Sequence, residues 1–89
     1  MRIKVKTNFV IKGINNEGVE FEGHPSLRDV LFEVANKAEF PFIYPDGEID
    51  PEVEILLNDL EYAFLPKRLD TKLKEDDKVE IMMLAIGGG

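Results

Sequence analysis

The sequence predicts an α+β fold in which a single helix packs across a sheet of about four or five strands. Three observations predict it: alternation of apolar and polar residues near the N-terminus, one apolar stripe of helical period at residues 27–38, and two later apolar segments at residues 53–58 and 79–84. A chain of 89 residues has room for one small domain. We therefore expect one hydrophobic core, formed between the helix and one face of the sheet.

The N-terminal segment predicts a β-hairpin. The odd positions carry Ile3, Val5, Thr7, Phe9 and Ile11, whereas the even positions up to Asn8 are polar. A period of two is typical of a strand with one buried face. The residues that follow tolerate the positive φ of turns, and they are Gly13, Asn15, Asn16 and Gly18. Alternation resumes at residues 19–22, which predicts the second strand.

The helix is predicted from its start signal and its stripe. Ser26 stands three residues before Asp29, so the two side chains can each accept a hydrogen bond from the other's backbone N–H. The apolar positions that follow are Leu27, Val30, Leu31, Val34, Ala35 and Ala38. This spacing predicts a helix from about Leu27 to Ala38, with its stripe buried against the sheet.

The second half of the chain predicts a loop and three strands. Residues 40–52 contain three prolines and a glycine, which favours a loop. The apolar run at residues 53–58 predicts a buried central strand. Tyr62, Phe64 and Leu65 predict a short edge strand that Pro66 ends. A charged turn at residues 74–77 precedes the last strand, predicted at residues 79–84.

Composition excludes several functions. With 18 acidic and 11 basic residues, the net charge of −7 repels phosphate backbones and anionic membranes, so we expect neither nucleic acid nor a membrane as partner. The N-terminus lacks the apolar core of a signal peptide, and we expect a cytoplasmic protein. The chain has no cysteine, so any sulfur must come from another molecule. The lone His24 predicts neither a catalytic site nor a metal site.

The predicted order of elements, followed by Gly87, Gly88 and Gly89, resembles the β-grasp fold of ubiquitin-like proteins, a mixed sheet with one helix across it. Within that group, Asn58-Asp59 and the segment LDTKLKEDDKV at residues 69–79 resemble the turns of the MoaD and ThiS sulfur-carrier families. The families' turn glycines are replaced here by Asp59 and Asp76, and aspartate tolerates the left-handed backbone conformation.

Two features bear on the subfamily. The long loop at residues 40–52 favours the MoaD type, the small subunit of molybdopterin synthase, because ThiS carriers generally lack room for it. MoaD proteins usually carry an aromatic residue and two prolines before the glycines, whereas this chain has Met82-Met83-Leu84-Ala85-Ile86.

The resemblance implies a domain at residues 1–86 and a flexible glycine tail at residues 87–89. The carboxylate of Gly89 would be adenylated by a ubiquitin-activating-like adenylyltransferase that uses ATP, and then converted to a thiocarboxylate. That tail would enter the large catalytic subunit of molybdopterin synthase and supply sulfur to a pterin precursor. The chain would thus be a carrier without a bound cofactor, not an enzyme. Alignment on the terminus makes Gly88-Gly89 the reactive pair, whereas alignment on the turn gives Gly87-Gly88.

Glycine suits such a tail because it has no side chain to obstruct a narrow channel and samples both signs of φ. A chance triglycine end is expected in roughly one chain in 3,000 at an average glycine usage of about 7%. The alternative is a frayed end or residues added for expression. The position of the glycines directly after a predicted last strand favours the functional interpretation.

The end of the last strand also predicts a docking patch. Met82, Leu84 and Ile86 fall on the face opposite Ile81 and Met83, where they would contact the activating enzyme or a sulfur acceptor. Partial burial in the core is the alternative. Other functions fit the same sequence: a ubiquitin-like modifier joined to lysines through Gly89, a ThiS-type carrier, and an interaction module with an inert tail.

Overall fold

The structure is a computed structural model and describes residues 1–11, 18–38 and 41–84. Its strands and helix, in chain order, are β1 (Arg2–Thr7), β2 (Val19–Glu20), α1 (Leu27–Lys37), β3 (Val53–Leu57), β4 (Leu60–Glu61) and β5 (Lys78–Met83). Two single-turn 3-10 helices, Tyr62–Phe64 and Arg68–Asp70, lie between β4 and β5. The predicted turn of the first hairpin falls mainly on residues 12–17, outside the described ranges.

One mixed sheet joins these strands in the order β2, β1, β5, β3, β4. The predicted hairpin of β1 and β2 is antiparallel, as is the pairing of β5 with β3. β1 and β5 run parallel, with Val5 opposite Val79 and Thr7 opposite Ile81. The last strand is therefore inserted at the centre of the sheet, between the first strand and the third. The predicted α+β fold, with one helix and a sheet of four to five strands, is confirmed.

The helix begins at the predicted capping box. The Ser26 hydroxyl accepts a hydrogen bond from the Asp29 N–H at 3.1 Å, and the Asp29 carboxylate accepts one from the Ser26 N–H at 3.0 Å. The helix ends at Lys37, with Ala38 as its C-cap. The side chains of its stripe that are fully buried are Leu27, Val30, Leu31 and Val34. They form one core with the inward residues of the three central strands, which are Ile3, Val5, Val53, Ile55, Leu57, Val79 and Ile81.

The loop before β3 is part of this core. Phe42 has no exposed surface, and Ile43, which is 4% exposed, forms an isolated bridge with Ile49. The Tyr44 hydroxyl donates a hydrogen bond of 2.5 Å to the Asp50 carboxylate, and this contact raises the pKa of Tyr44 and lowers that of Asp50. The proline-rich segment is therefore a loop, as predicted, and it is folded onto the domain.

The loop is also held against the helix at one glycine. Gly47 has φ +88°, and a Cβ there would lie 2.2 Å from Nη1 of Arg28. The guanidinium of Arg28 continues across to Asp70, with Nη2 3.3 Å from Oδ1. Gly47 therefore provides both the left-handed backbone and the space in which the Arg28 side chain lies.

The prediction of an edge strand at residues 62–65 is wrong. Asn58 and Asp59 both have positive φ, +49° and +73°, which is the backbone of a two-residue hairpin turn. Because the turn is so short, the returning strand starts at once, with Leu60 opposite Leu57. The edge strand is therefore Leu60–Glu61, and the residues predicted to form it wind instead into a 3-10 turn.

Candidate functional site

The candidate site consists of the tail and of the surface next to its attachment. The predicted tail residues, Gly87, Gly88 and Gly89, lie outside the described residues, as does Ile86 of the predicted docking patch. The structure describes β5 and Leu84, which lead to them. It therefore describes the strand that precedes the tail and the side chains around the end of that strand.

The end of β5 is held by the side chain of Asn8, which forms the hydrogen bonds that a neighbouring strand backbone would otherwise form. The amide of Asn8 donates to the carbonyl oxygen of Met83 at 2.9 Å, and its oxygen accepts from the Met83 N–H at 2.8 Å. β1 has ended at Thr7, so this amide extends the β1–β5 ladder by one more residue. On the other side the Leu84 N–H donates to the carbonyl of Glu52 at 2.8 Å. Met83 and Leu84 are thus held from opposite sides at the end of β5, Met83 by Asn8 and Leu84 by Glu52.

Replacement of Asn8 by aspartate should release this end of the strand. A carboxylate can accept from the Met83 N–H but cannot donate to the Met83 carbonyl, so one bond is lost and two oxygens face each other. We expect a loss of about 1 kcal/mol in the free energy of unfolding, and faster hydrogen exchange at the amides of Met83 and Leu84.

Denaturant unfolding and amide exchange measured by NMR check this prediction. Asn36→Asp is the matched control, because Asn36 is exposed on α1 and its side chain forms no hydrogen bond with any residue that the structure describes. The control should cost no more than about 0.5 kcal/mol. Equal effects of the two substitutions would contradict the anchoring role of Asn8.

The strand alternation places Met82, one residue of the predicted patch, away from the helix. Val79 and Ile81 are fully buried beneath the helix, whereas Met82 lies on the opposite, open face of the sheet, where it is half-buried. Leu84, just past the strand, is 61% exposed. Leu56 of β3 is also half-buried on this face, two positions diagonally from Met82 across the β3–β5 pair. The open face therefore has an apolar centre that extends toward the tail.

Carboxylates border this centre on the β3–β4 side. Glu54 lies directly opposite Met82, and Glu61 and Glu80 lie on either side of Leu56 in the strand register. A hydrogen bond with the Glu61 carboxyl, partial burial and the charges of Glu61 and Glu80 together raise the pKa of Glu54. Sequence reasoning missed these residues. The signal was available in part, since Glu54 and Leu56 occupy the outward positions of a strand whose inward positions are apolar.

Lysine side chains border the apolar centre on the β1 side. Lys4 and Lys6 are exposed, opposite Lys78 and Glu80 respectively. The ammonium group of Lys78 lies 2.9 Å from a carboxylate oxygen of Asp59 and 3.4 Å from one of Glu80. The contact with Asp59 raises the pKa of Lys78 and lowers that of Asp59. Lys78 thus offsets one of the two negative charges in the middle of the face.

The remaining residues named from the sequence are Asp76 and Asp77, which have structural roles in turns, and His24, which lies at the surface. Asp76 has φ +67°, in agreement with the left-handed conformation that its place in the turn requires. The Asp77 carboxylate accepts hydrogen bonds from the Lys74 N–H at 2.8 Å and the Asn58 amide at 3.0 Å, which ties the two turns together. His24 is exposed. Within residues 1–11, 18–38 and 41–84, no three histidine or acidic side chains are grouped to hold a metal ion.

The parallel pairing of the first and last strands, with one helix across a mixed sheet, defines the β-grasp fold of ubiquitin-like proteins. The crystal structure of SAMP1 from Haloferax volcanii has the same fold, with a TM-score of 0.68 over 100% of both chains at 18% sequence identity. No protein-family profile and no curated protein sequence matches the chain. In the described part of the chain, no helix has the length and apolarity needed to cross a membrane.

Proposed function

We propose that this protein is a sulfur carrier that acts through a free carboxylate on Gly89. The observation that supports the proposal most is the position of the glycines. They follow a central strand that is hydrogen-bonded on both sides up to Leu84, so a rigid domain would present a short, side-chain-free segment to a partner. Such a segment can enter a closed pocket while the domain remains outside.

The chemistry proposed for the tail has two steps. An adenylating enzyme brings the carboxylate of Gly89 to the α-phosphorus of ATP, which releases pyrophosphate and leaves an acyl-adenylate. Sulfide delivered by another protein then displaces AMP and leaves a C-terminal thiocarboxylate. The chain has no cysteine, so it cannot supply the sulfur itself. Its role is to carry the activated acyl group and to bind the adenylating enzyme.

The acceptor that we propose is a pterin precursor held by the large catalytic subunit of molybdopterin synthase. The turn segment at residues 69–79 and the loop at residues 40–52 support this acceptor through their resemblance to MoaD-type carriers. A ubiquitin-like modifier would use the same tail to acylate lysines of other proteins. The two functions differ in the product of the activated carboxyl group, which is a thiocarboxylate in the carrier and an amide bond to lysine in the modifier.

The intact mass of the protein isolated from its native cells tests the proposal. Exchange of one oxygen for sulfur at Gly89 would support the carrier, and the same spectrum establishes which residue is the terminus. Covalent adducts through Gly89 on lysines of other proteins would favour the modifier. An unmodified protein that its cognate adenylating enzyme does not activate would leave only an interaction module.

Leu84→Glu should weaken docking to the adenylating enzyme. The side chain is 61% exposed, so glutamate costs the domain little, but a charge would replace an apolar contact next to the tail. We expect the KM for the carrier in ATP–pyrophosphate exchange to rise about tenfold or more, which corresponds to about 1.4 kcal/mol.

Phe64→Glu is the control, because Phe64 is 71% exposed on the 3-10 turn and belongs to none of the strands that form the open face. It should leave the KM unchanged. Met82→Glu is less suitable as a test, since Met82 is half-buried opposite Glu54 and a second carboxylate there would also destabilise the sheet. A normal KM for Leu84→Glu would exclude this residue from the interface.

A further inference from the structure

The open face of the sheet separates its charges. On the β1 side, Lys4 and Lys6 form no ion pair with any residue that the structure describes, although the charge of Lys6 contributes to the lowered pKa of Asp59. On the β3–β4 side, Glu54 and Glu61 lie diagonally on adjacent strands, and no described cation is paired with either of them. The face therefore has one cationic border and one acidic border.

Between these borders the face has apolar side chains and one group of paired charges. Leu56 and Met82 are half-buried at its centre. Lys78 is shared between the carboxylates of Glu80 and Asp59, so this group keeps one net negative charge. The charged side chains of this face that have no ion pair within the described residues lie at the two borders, where they would align a partner surface.

The side chains of Glu54 and Glu61 lie on the same face of adjacent strands, because Glu61 is opposite Leu56, two residues after Glu54. Two like charges in such neighbouring positions disfavour each other, and the interaction with Glu61 raises the pKa of Glu54. A guanidinium group placed over the pair would remove the repulsion and could bond both carboxylates, since its donors form a planar fork.

We propose that the open face docks a partner surface with the inverse charge pattern: an apolar centre, an arginine over Glu54 and Glu61, and a carboxylate over Lys4 and Lys6. The inference rests on the proposed function, because it specifies the surface of the adenylating enzyme that receives the carrier. The charge separation fixes one docking orientation, and that orientation directs the tail at the end of β5 into the enzyme. A second copy of this chain fits less well, since each copy carries a net charge of −7.

Charge reversals on the two borders test the orientation. Glu61→Lys and Lys6→Glu should each raise the KM for the carrier in ATP–pyrophosphate exchange about tenfold, with kcat unchanged. The Lys6→Glu variant is decisive because it makes the chain more acidic. General attraction between an acidic carrier and a basic enzyme would lower its KM, and that result would overturn the proposal.

Glu48→Lys is the matched control for Glu61→Lys. Glu48 is exposed in the loop before β3, away from the open face, and the substitution changes the net charge by the same amount. Its KM should remain that of the unchanged protein. An equal rise for Glu48→Lys and Glu61→Lys would also overturn the proposal, because only overall charge would then matter.

A measurement without the enzyme separates this inference from the proposed function. If the unchanged protein is not adenylated, the proposed function fails. Binding to the open face is then tested separately by NMR titration of the protein with the peptide acetyl-Leu-Arg-Leu-amide and with its Leu-Glu-Leu analogue, each at millimolar concentration. We expect the arginine peptide alone to shift the amides of Glu54, Glu61 and Met82. Shifts spread over all acidic segments would overturn the inference, as would sedimentation of the protein as a dimer that Glu61→Lys dissociates.

Discussion

Removal of Gly88 and Gly89 is expected to abolish adenylation of the protein while leaving its free energy of unfolding unchanged. The loss should be complete within detection, because the remaining carboxylate would stop two residues short of the phosphorus atom that it must attack. The domain should be unaffected, because the core and the hydrogen bonds that hold residue 84 lie before the deletion. ATP–pyrophosphate exchange measures the first effect and denaturant unfolding measures the second.

Removal of Gly89 alone decides between the two registers of the reactive pair. If Gly88-Gly89 is the pair, this shorter deletion should also be inactive. If Gly87-Gly88 is the pair, the variant that ends at Gly88 should be adenylated at least as well as the full chain. Normal adenylation after both glycines are removed would exclude the tail as the site of activation.

Phe42→Ala is expected to cause the largest loss of stability from a single substitution outside the helix and strands. Phe42 has no exposed surface and belongs to the main core, although it lies in a loop. Truncation of a buried phenylalanine typically costs about 3–5 kcal/mol, which is a large part of the roughly 5–15 kcal/mol that stabilises a small domain.

Denaturant unfolding monitored by circular dichroism gives the difference in the free energy of unfolding between Phe42→Ala and the unchanged protein. Phe64→Ala serves as control, since Phe64 is 71% exposed and should lose no more than about 0.5 kcal/mol. Similar small losses for the two phenylalanines would show that the loop packs independently of the core. Adenylation of Phe42→Ala at a temperature where it remains folded should be normal, because Phe42 is remote from the open face.

The sequence predicted those parts of the fold that depend on neighbours along the chain. The alternation from Ile3, the capping box of Ser26 and Asp29, and the helical stripe each arise from local geometry, and each is present in the structure. Asp59 and Asp76 were expected to tolerate left-handed backbone, and both adopt it. The place of β4 was missed because the tightness of the turn at Asn58 and Asp59, not the apolar residues after it, sets where the strand returns.

Long-range features were not accessible in the same way. Only the resemblance to a known fold indicated a mixed sheet, since nothing local in β1 or β5 specifies that Val5 lies beside Val79. The burial of Phe42 was equally hidden, because the prolines around it predict a loop but not where the loop packs. The side chain is fully buried in the same core as the helix and the sheet.

The same distinction between local and long-range features applies to the candidate site. The glycines and the alternation of Met82 and Leu84 are visible in the sequence, and the structure places these two side chains away from the helix-facing core, half-buried and exposed respectively. The pairing of Glu54 with Glu61 is not visible, since the two residues belong to different strands and meet only because Leu56 lies opposite Glu61. Charge patterns on a sheet depend on register, which a single sequence does not specify.

The hydrogen bonds of Asn8 to Met83 also separate two properties of the proposed carrier. They fix the end of β5 on the domain, so the docking face and the proposed reactive carboxylate are connected only through the residues that follow Leu84. Insertion of residues after Leu84 would lengthen this connection without changing the docking face. The depth of the enzyme pocket that the tail can reach and the affinity of the enzyme for the face are therefore two separately adjustable properties.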